Sequence, residues 1–265
     1  MSALSSFFDK LFQLVFPRRC PICGEMPPDS DAATLCPDCL LLFQSELAAR
    51  CPECRLTASQ CRCTPRRIRE TASVIDGRQF LCVCFYRPSD RASLTSRLIY
   101  SLKDNTDDTA ARILAQMMSR ELSHRFFRAG KDMREWMITY PPRNPQKKRA
   151  VGFDQAERLA RFCAQYTGAT YAPMFVRLRG AEQKSLNRSE RAANTQSAFA
   201  LKEPEACRGA RVILCDDILT TGATLSACAS LLWEAGAAEI TVITAAKSLP
   251  RERGRADTAD GAWWE

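Results

Sequence analysis

Val212 to Leu225, VILCDDILTTGATL, is the stretch whose reading decides the fold. Its apolar start, Val212 to Leu214, is bounded by Gly209 and Asp216 and reads as a buried parallel strand. Asp216 and Asp217 follow at the carboxyl end of that strand, the edge where open α/β sheets bind ligands. Two adjacent carboxylates there can accept the 2′- and 3′-hydroxyls of a ribose or meet a magnesium ion through water. Thr220, Thr221, Gly222, Ala223 and Thr224 then supply hydroxyls and backbone N–H groups around a glycine, where the chain can bend closely over a phosphate and enter a helix. The segment is built to grip a sugar at one end and its 5′-phosphate at the other.

An ordinary strand-turn-helix with an acidic cap also places Asp and Thr here. The paired Asp followed by Thr-Thr-Gly-x-Thr is more specific than that, and it resembles the phosphoribosyl pyrophosphate (PRPP) loop of type I phosphoribosyltransferases. The resemblance implies that Asp216 and Asp217 hold the ribose hydroxyls and that Thr220 to Thr224 hold the 5′-phosphate.

Fourteen cysteines are the second unusual feature, and eight fall between residues 20 and 63. Cys20-Pro-Ile-Cys23, Cys36-Pro-Asp-Cys39 and Cys51-Pro-Glu-Cys54 repeat one knuckle, and Cys61-Arg-Cys63 adds a tighter pair. The N-terminal run Phe7, Phe8, Leu11, Phe12, Leu14, Val15, Phe16 is broken by Asp9 and Lys10 and has no small-residue cleavage site, so it reads as an amphipathic helix rather than a signal peptide. No run of about 18 apolar residues is present to span a membrane. A cytoplasmic, reducing setting is therefore expected, where C-x-x-C repeats point to zinc rather than disulfides. Sequential pairing gives Cys20, Cys23, Cys36, Cys39 for one structural ion and Cys51, Cys54, Cys61, Cys63 for another. Eight thiolates holding two zinc ions would lower the formal net charge from +8 to about +4, so an argument for nucleic acid must rest on local basic clusters.

With 265 residues and 46% hydrophobic content, the chain can bury a full α/β core and carry a small accessory domain. The expected organisation is an N-terminal helix and double zinc ribbon over 1–66, an α/β domain with a mainly parallel, doubly wound sheet over 67–250, and a polar tail over 251–265. Strands are expected at Phe80 to Tyr86, Met137 to Tyr140, Tyr171 to Val176, Val212 to Leu214 and Ile240 to Thr244. Helices are expected after Asp107 and Asp108, with Leu114, Met118, Leu122 and Phe126 on one face, after Asp154 through a capping box closed by Glu157, and from Thr224 to Ala235. Cys82, Cys84, Cys163, Cys207, Cys215 and Cys228 read as small core hydrophobes.

Two loops complete the candidate site. Arg143 to Phe153 carries Arg143, Lys147, Lys148 and Arg149, cations suited to a pyrophosphate leaving group. Arg179 to Arg191, with Lys184, has the length of an active-site lid. The only histidine, His124, lies outside these segments, so no Ser-His or Cys-His nucleophilic pair is offered.

In order along the chain come Phe16-Pro17-Arg18-Arg19-Cys20, the knuckles, Tyr100-Ser101-Leu102-Lys103, Gly152-Phe153-Asp154-Gln155-Ala156-Glu157, Gln183-x-x-Leu186 with Glu190-Arg191-x-x-Asn194 and Phe199, and the PRPP loop. Together they resemble the ComF/GntX family of amidophosphoribosyltransferase-like proteins. Many members read Arg-Gly-Phe-Asn where this chain has Val151-Gly152-Phe153-Asp154, which assigns the cationic role to Arg149. The resemblance implies a phosphoribosyltransferase (a pentosyl glycosyltransferase) using PRPP and Mg²⁺, with a role in natural transformation or DNA uptake alongside other competence proteins and single-stranded DNA. Two alternatives stay open at this point. One is a nucleobase-salvage transferase, which would need a base-binding hood. The other is a non-enzymatic zinc-ribbon module for single-stranded DNA, which the scarcity of aromatics in residues 20–70 weakens.

Overall fold

The computed structural model describes residues 19–27, 35–63, 80–104, 108–178 and 198–249. At its centre is a five-stranded sheet of order β1-β7-β6-β2-β3, with every neighbouring pair parallel. The strands are β1 (Phe80–Tyr86), β2 (Trp136–Thr139), β3 (Thr170–Tyr171), β6 (Arg211–Leu219) and β7 (Glu239–Ser248). A separate antiparallel ribbon joins β4 (Phe175–Arg177) to β5 (Phe199–Leu201). The single strand expected over Tyr171 to Val176 is therefore split, its two ends serving different sheets.

Both faces of the parallel sheet are covered, which is why its strands carry nearly continuous apolar runs. On one face lie α3 (Thr109–Arg128) and α5 (Gln155–Thr167), whose Leu114, Met118, Leu122, Leu159 and Cys163 pack with Ile138, Ile213, Cys215 and Ile243. On the other lies α6 (Ala223–Glu234), whose Leu225, Cys228 and Leu232 meet Val212, Leu214, Ile240 and Val242. Successive residues of β6 thus feed opposite cores, as the two-residue period of a strand requires. The six remaining cysteines are buried as the sequence suggested. His124 is exposed on α3.

The cysteine-rich module is docked onto this body through α1 (Pro37–Leu47) and α2 (Leu94–Asp104). Leu35, Cys39 and Phe43 share one apolar cluster with Tyr86, Leu98 and Leu102. A polar bond reinforces the contact: the Glu46 carboxylate accepts the backbone N–H groups of Leu94 at 2.6 Å and Thr95 at 2.8 Å, so a side chain of α1 caps the start of α2. The boundary expected near residue 66, the Arg66-Arg67-Ile68-Arg69 connector, the first eighteen residues and the tail fall outside the described residues. Among the described residues, no helix is long and apolar enough to cross a membrane.

Because Glu46 satisfies two helix N–H groups with a charged acceptor, Glu46→Ala is expected to lower the unfolding free energy by about 1 to 3 kcal/mol in a denaturant titration. An unchanged midpoint and slope would mean that these bonds contribute nothing to docking.

Candidate functional site

The geometry of β6 differs in one respect from the sequence expectation. Its strand does not stop at Leu214 but runs on to Leu219, so Asp216 and Asp217 lie within it. The ladder with β2, however, ends at the pair Thr139 and Leu214, whereas the ladder with β7 continues to Leu219 and Lys247. Asp216 and Asp217 therefore stand on a step in the sheet, with backbone pairing on one side only. This step is also where strand order reverses: β2 leads outward to β3, and β6 leads the opposite way to β7. It is the switch-point crevice that parallel sheets use for ligands.

Each carboxylate is partly engaged within the chain. Asp216 Oδ1 accepts the Asp217 N–H at 2.8 Å, and Asp217 Oδ1 accepts the Ile218 N–H at 2.6 Å. Burial pushes the Asp216 carboxyl well above its usual range, and the neighbouring Asp217 and Asp154 charges push it further. Asp216 accordingly carries a proton more readily than an ordinary carboxyl, and a cation or hydroxyl donors in the crevice would favour its ionised form.

Beyond Leu219 the chain passes exposed Thr220 and Thr221 to Gly222, which takes φ 75°. That left-handed conformation suits glycine and turns the backbone into α6. Gly222 is the N-cap of α6 and has no side chain to cap with; Thr221 Oγ1 accepts the Ala223 N–H at a long 3.5 Å, and the next N–H groups of this twelve-residue helix, from Thr224 onward, are available to an anion.

The basic loop after β2 is not a loop throughout. Arg143 precedes a short helix, α4 (Pro145–Val151), which Asn144 caps through Gln146 N–H at 2.8 Å and Gly152 ends at φ 88°. Its cations are also partly committed. Lys148 pairs with Glu157 at 2.6 Å, so Glu157 does not close the expected capping box. The Arg143 guanidinium donates to Gln155 Oε1, while Arg149 is exposed in the last turn of α4. Lys147 lies on α4. Lys184 and the lid segment fall outside the described residues.

The Gly152 to Glu157 motif gains a physical explanation. Phe153 is buried beneath the Arg158 guanidinium, 3.7 Å from its ring centroid. Asp154 bonds in two directions, taking the Arg143 N–H at 2.6 Å on Oδ2 and the Ala156 and Glu157 N–H groups on Oδ1. Gln155 joins Arg143 to the Lys103 carbonyl at 3.3 Å, linking this loop to the Tyr100-Ser101-Leu102-Lys103 segment on α2. Sequence reasoning saw Asp154 and Gln155 as a helix start only. Their second role depends on contacts between distant segments and has no local signature.

The eight N-terminal cysteines come together in the expected fours. Cys20, Cys23, Cys36 and Cys39 form one group, and Cys51, Cys54, Cys61 and Cys63 another, with the sulfurs of each group within 4.8 Å of one another. Cys23 and Cys36 sulfurs are 3.5 Å apart, too far for a disulfide and close to the edge of about 3.8 Å that a tetrahedron with 2.3 Å metal-sulfur bonds would have. The donor sets fit a structural metal ion in each group. Burial acts to raise the Cys20 thiol, but backbone donors from Cys36, Cys23 and Ile22 bring it down to about 7. Burial likewise acts on Cys54, yet donors from Leu56 and neighbouring thiols leave it lowered. The three C-x-x-C pairs are not equivalent, however. The first and third form matching turns, with Gly24 and Arg55 at positive φ, whereas Cys36 and Cys39 sit at the start of α1.

Metal analysis of the purified protein should find about two equivalents of a thiophilic ion; none, with the thiols paired as disulfides, would overturn the assignment of both clusters. Asp216 generates a second expectation. Its native carboxyl is raised, so its contribution to stability is present below the unfolded value of about 3.9 and is lost as pH rises through the raised one. Asp216→Asn should consequently raise the Tm of the ligand-free protein at pH 7, with the gain disappearing below about pH 4. A fall in Tm at pH 7 would contradict this reading.

Residues 174–260 match the model of the phosphoribosyl transferase domain family. The chain is 27% identical over 218 residues to the competence protein ComFC of Streptococcus pneumoniae, covering 80% of this chain and 86% of that one. It is 26% identical over 238 residues to the DNA utilization protein YhgH of Salmonella typhimurium, covering 86% and 96%, and 25% identical over 231 residues to YhgH of Escherichia coli strain K12, again covering 86% and 96%. Among solved structures, that of the allosteric regulatory enzyme of purine biosynthesis aligns with 57% of this chain and 30% of its own at 19% identity, with a TM-score of 0.39. The ComF resemblance read from the sequence is thereby borne out: the chain is similar to the ComFC and YhgH proteins over most of its length, and its residues 174–260 match a phosphoribosyl transferase domain.

Proposed function

We propose that this protein binds PRPP with Mg²⁺ in the crevice between β2 and β6 and serves a competence-related process of DNA uptake or use. The observation that carries the reading is the step in the sheet, which sets two carboxylates at the switch point, a few residues before a glycine turn and a helix N-terminus whose only side-chain cap is the long Thr221 bond to Ala223. Asp216 and Asp217 would hold the ribose hydroxyls and the hydrated Mg²⁺, and the N–H and hydroxyl groups of Thr220, Thr221, Gly222, Ala223 and Thr224 would hold the 5′-phosphate. Arg143, Lys148 and Arg149 lie on the segment that follows β2, suited to the charge of departing pyrophosphate.

If the site is catalytic, the bond broken is that between C1 of the ribose and the pyrophosphate oxygen. Positive charge develops on the sugar and negative charge on the leaving group, so the work falls to positioning and electrostatics rather than to a strong base. The names of the ComFC and YhgH relatives support the DNA-related setting, and tetrahedral zinc is the ion best matched to two all-cysteine sets.

Calorimetric titration with PRPP and Mg²⁺ tests the reading. Replacing either carboxylate, Asp216→Asn or Asp217→Asn, should weaken binding by roughly ten- to a hundredfold, the loss of one charge-assisted bond. Affinity should also fall as pH is lowered, because the raised Asp216 carboxyl must lose its proton to accept hydroxyl donors. Unchanged affinity in the double variant would remove the assignment.

The DNA partner is tested by fluorescence anisotropy. Single strands should bind with a log-log salt slope of about −0.7 per phosphate neutralised, weakened by alanine at Arg66, Arg67 and Arg69 or at Lys147, Lys148 and Arg149. Binding that neither trio affects would exclude these clusters as the track.

A further inference from the structure

Lys247 is a lysine where the fold has least use for one. It lies on β7, the strand inside the sheet between β1 and β6, and is only 3% exposed. Withdrawing an ammonium from water costs several kcal/mol unless anionic or strongly polar partners replace its hydration. Its Nζ points to the second cysteine cluster, donating to Cys61 Sγ at 3.3 Å and to the Cys63 carbonyl oxygen. Around these groups lies an apolar shell of Ala58, Cys82, Phe85 and Leu249.

Four neutral thiols would offer this cation only weak acceptors. Four thiolates around a divalent ion carry a formal charge of −2, which a buried ammonium beside one of the sulfurs would halve. We propose that Lys247 is the positioning residue of the second metal site, donating an N–H to the metal-bound Cys61 thiolate and fastening the site to the central sheet. The proposal rests on the reading of Cys51, Cys54, Cys61 and Cys63 as metal ligands. At the first cluster, by contrast, backbone N–H groups of Cys36, Cys23 and Ile22 act on the Cys20 sulfur, and Cys23 is exposed. Among the described residues, Lys247 gives the second site a side-chain donor to a ligand sulfur, whereas Arg19 beside the first cluster donates to the Gly24 carbonyl, so loss of Lys247 should affect the second site selectively.

The placement also joins the cysteine module to the PRPP crevice. Lys247 is in register with Leu219, the last residue of β6 before Thr220, and on its other side with Phe85 of β1. One residue of β7 thus borders the metal site and the strand end from which the phosphate loop departs.

The test uses the full-length, metal-loaded protein and follows metal release to a chromogenic chelator. A Cys23→Ser background, lacking one ligand of the first site only, assigns the release phases. Lys247→Met, similar in length but uncharged, should accelerate release from the second site by about ten- to a hundredfold, leave the first site at its wild-type rate, and be partly rescued by Lys247→Arg. In the cobalt-substituted protein, the thiolate-to-metal charge-transfer band should move to lower energy in Lys247→Met, because a thiolate that loses its hydrogen bond is easier to oxidise. Lys247→Gln, a neutral donor, provides the same comparison with a smaller expected acceleration if the Met variant does not fold. A wild-type release rate in whichever variant folds, or equal acceleration of both sites, overturns the proposal. A wild-type protein with no metal at the second site overturns the metal reading together with it.

Discussion

The step between β2 and β6 is the constraint on which the rest of the site depends. A parallel strand paired on both sides has its backbone N–H and C=O groups committed to its neighbours, leaving little room for a ligand at that level. Here β6 continues past the end of its β2 ladder while keeping β7, so the segment from Cys215 onward is held straight by one neighbour and open towards the other side. The carboxylates take up part of the slack by accepting the next backbone N–H groups. Fixing two negative groups so close together in a partly buried edge is unfavourable, and the raised Asp216 carboxyl expresses that cost. A ligand bringing Mg²⁺ or hydroxyl donors would relieve it, so the local destabilisation and the proposed binding have one origin.

Supports for this edge converge from segments far apart in the chain. Asp154 fixes the start of α5 and the Arg143 backbone together, and Gln155 extends the connection to Lys103 on α2. Through α2, whose first N–H groups are held by Glu46, the same network reaches the helix that carries Cys39. Lys247 makes the matching link for the second cysteine cluster. Among the described residues, the cysteine module is therefore joined to the body at the start of α2 and at Lys247 of β7, which is in register with the end of β6.

Much of this protein was determined by its sequence alone. The run through Val212 to Leu225 specified a buried strand, a turn requiring positive φ and a following helix, because apolar continuity, glycine and threonine each act locally. The cysteine spacing specified four short pairs, enough for two tetrahedral sites, because short knuckles keep the two sulfurs of a pair together; which pairs share a site was shown by the fold. Parallel architecture followed from the alternation of strands and helices. Each of these signals is carried by neighbouring residues and survives without tertiary context.

Tertiary structure decided the rest. Only strand order shows that β6 outruns β2, that Asp216 is pushed up by burial, and that Tyr171 and Phe175 belong to different sheets. Lys148 turns to Glu157 instead of standing as an uncommitted cation, and Lys247 lies beyond the strand expected at Ile240 to Thr244 yet belongs to β7 and reaches Cys61. A lysine 184 residues from Cys63 can find that cysteine's carbonyl only after β1, β6 and β7 have assembled. The physical reason is common to these cases. Propensity and spacing act over a few residues, whereas the depth of a charge, the end of a ladder and the choice of ion-pair partner are set by whatever the completed fold brings alongside.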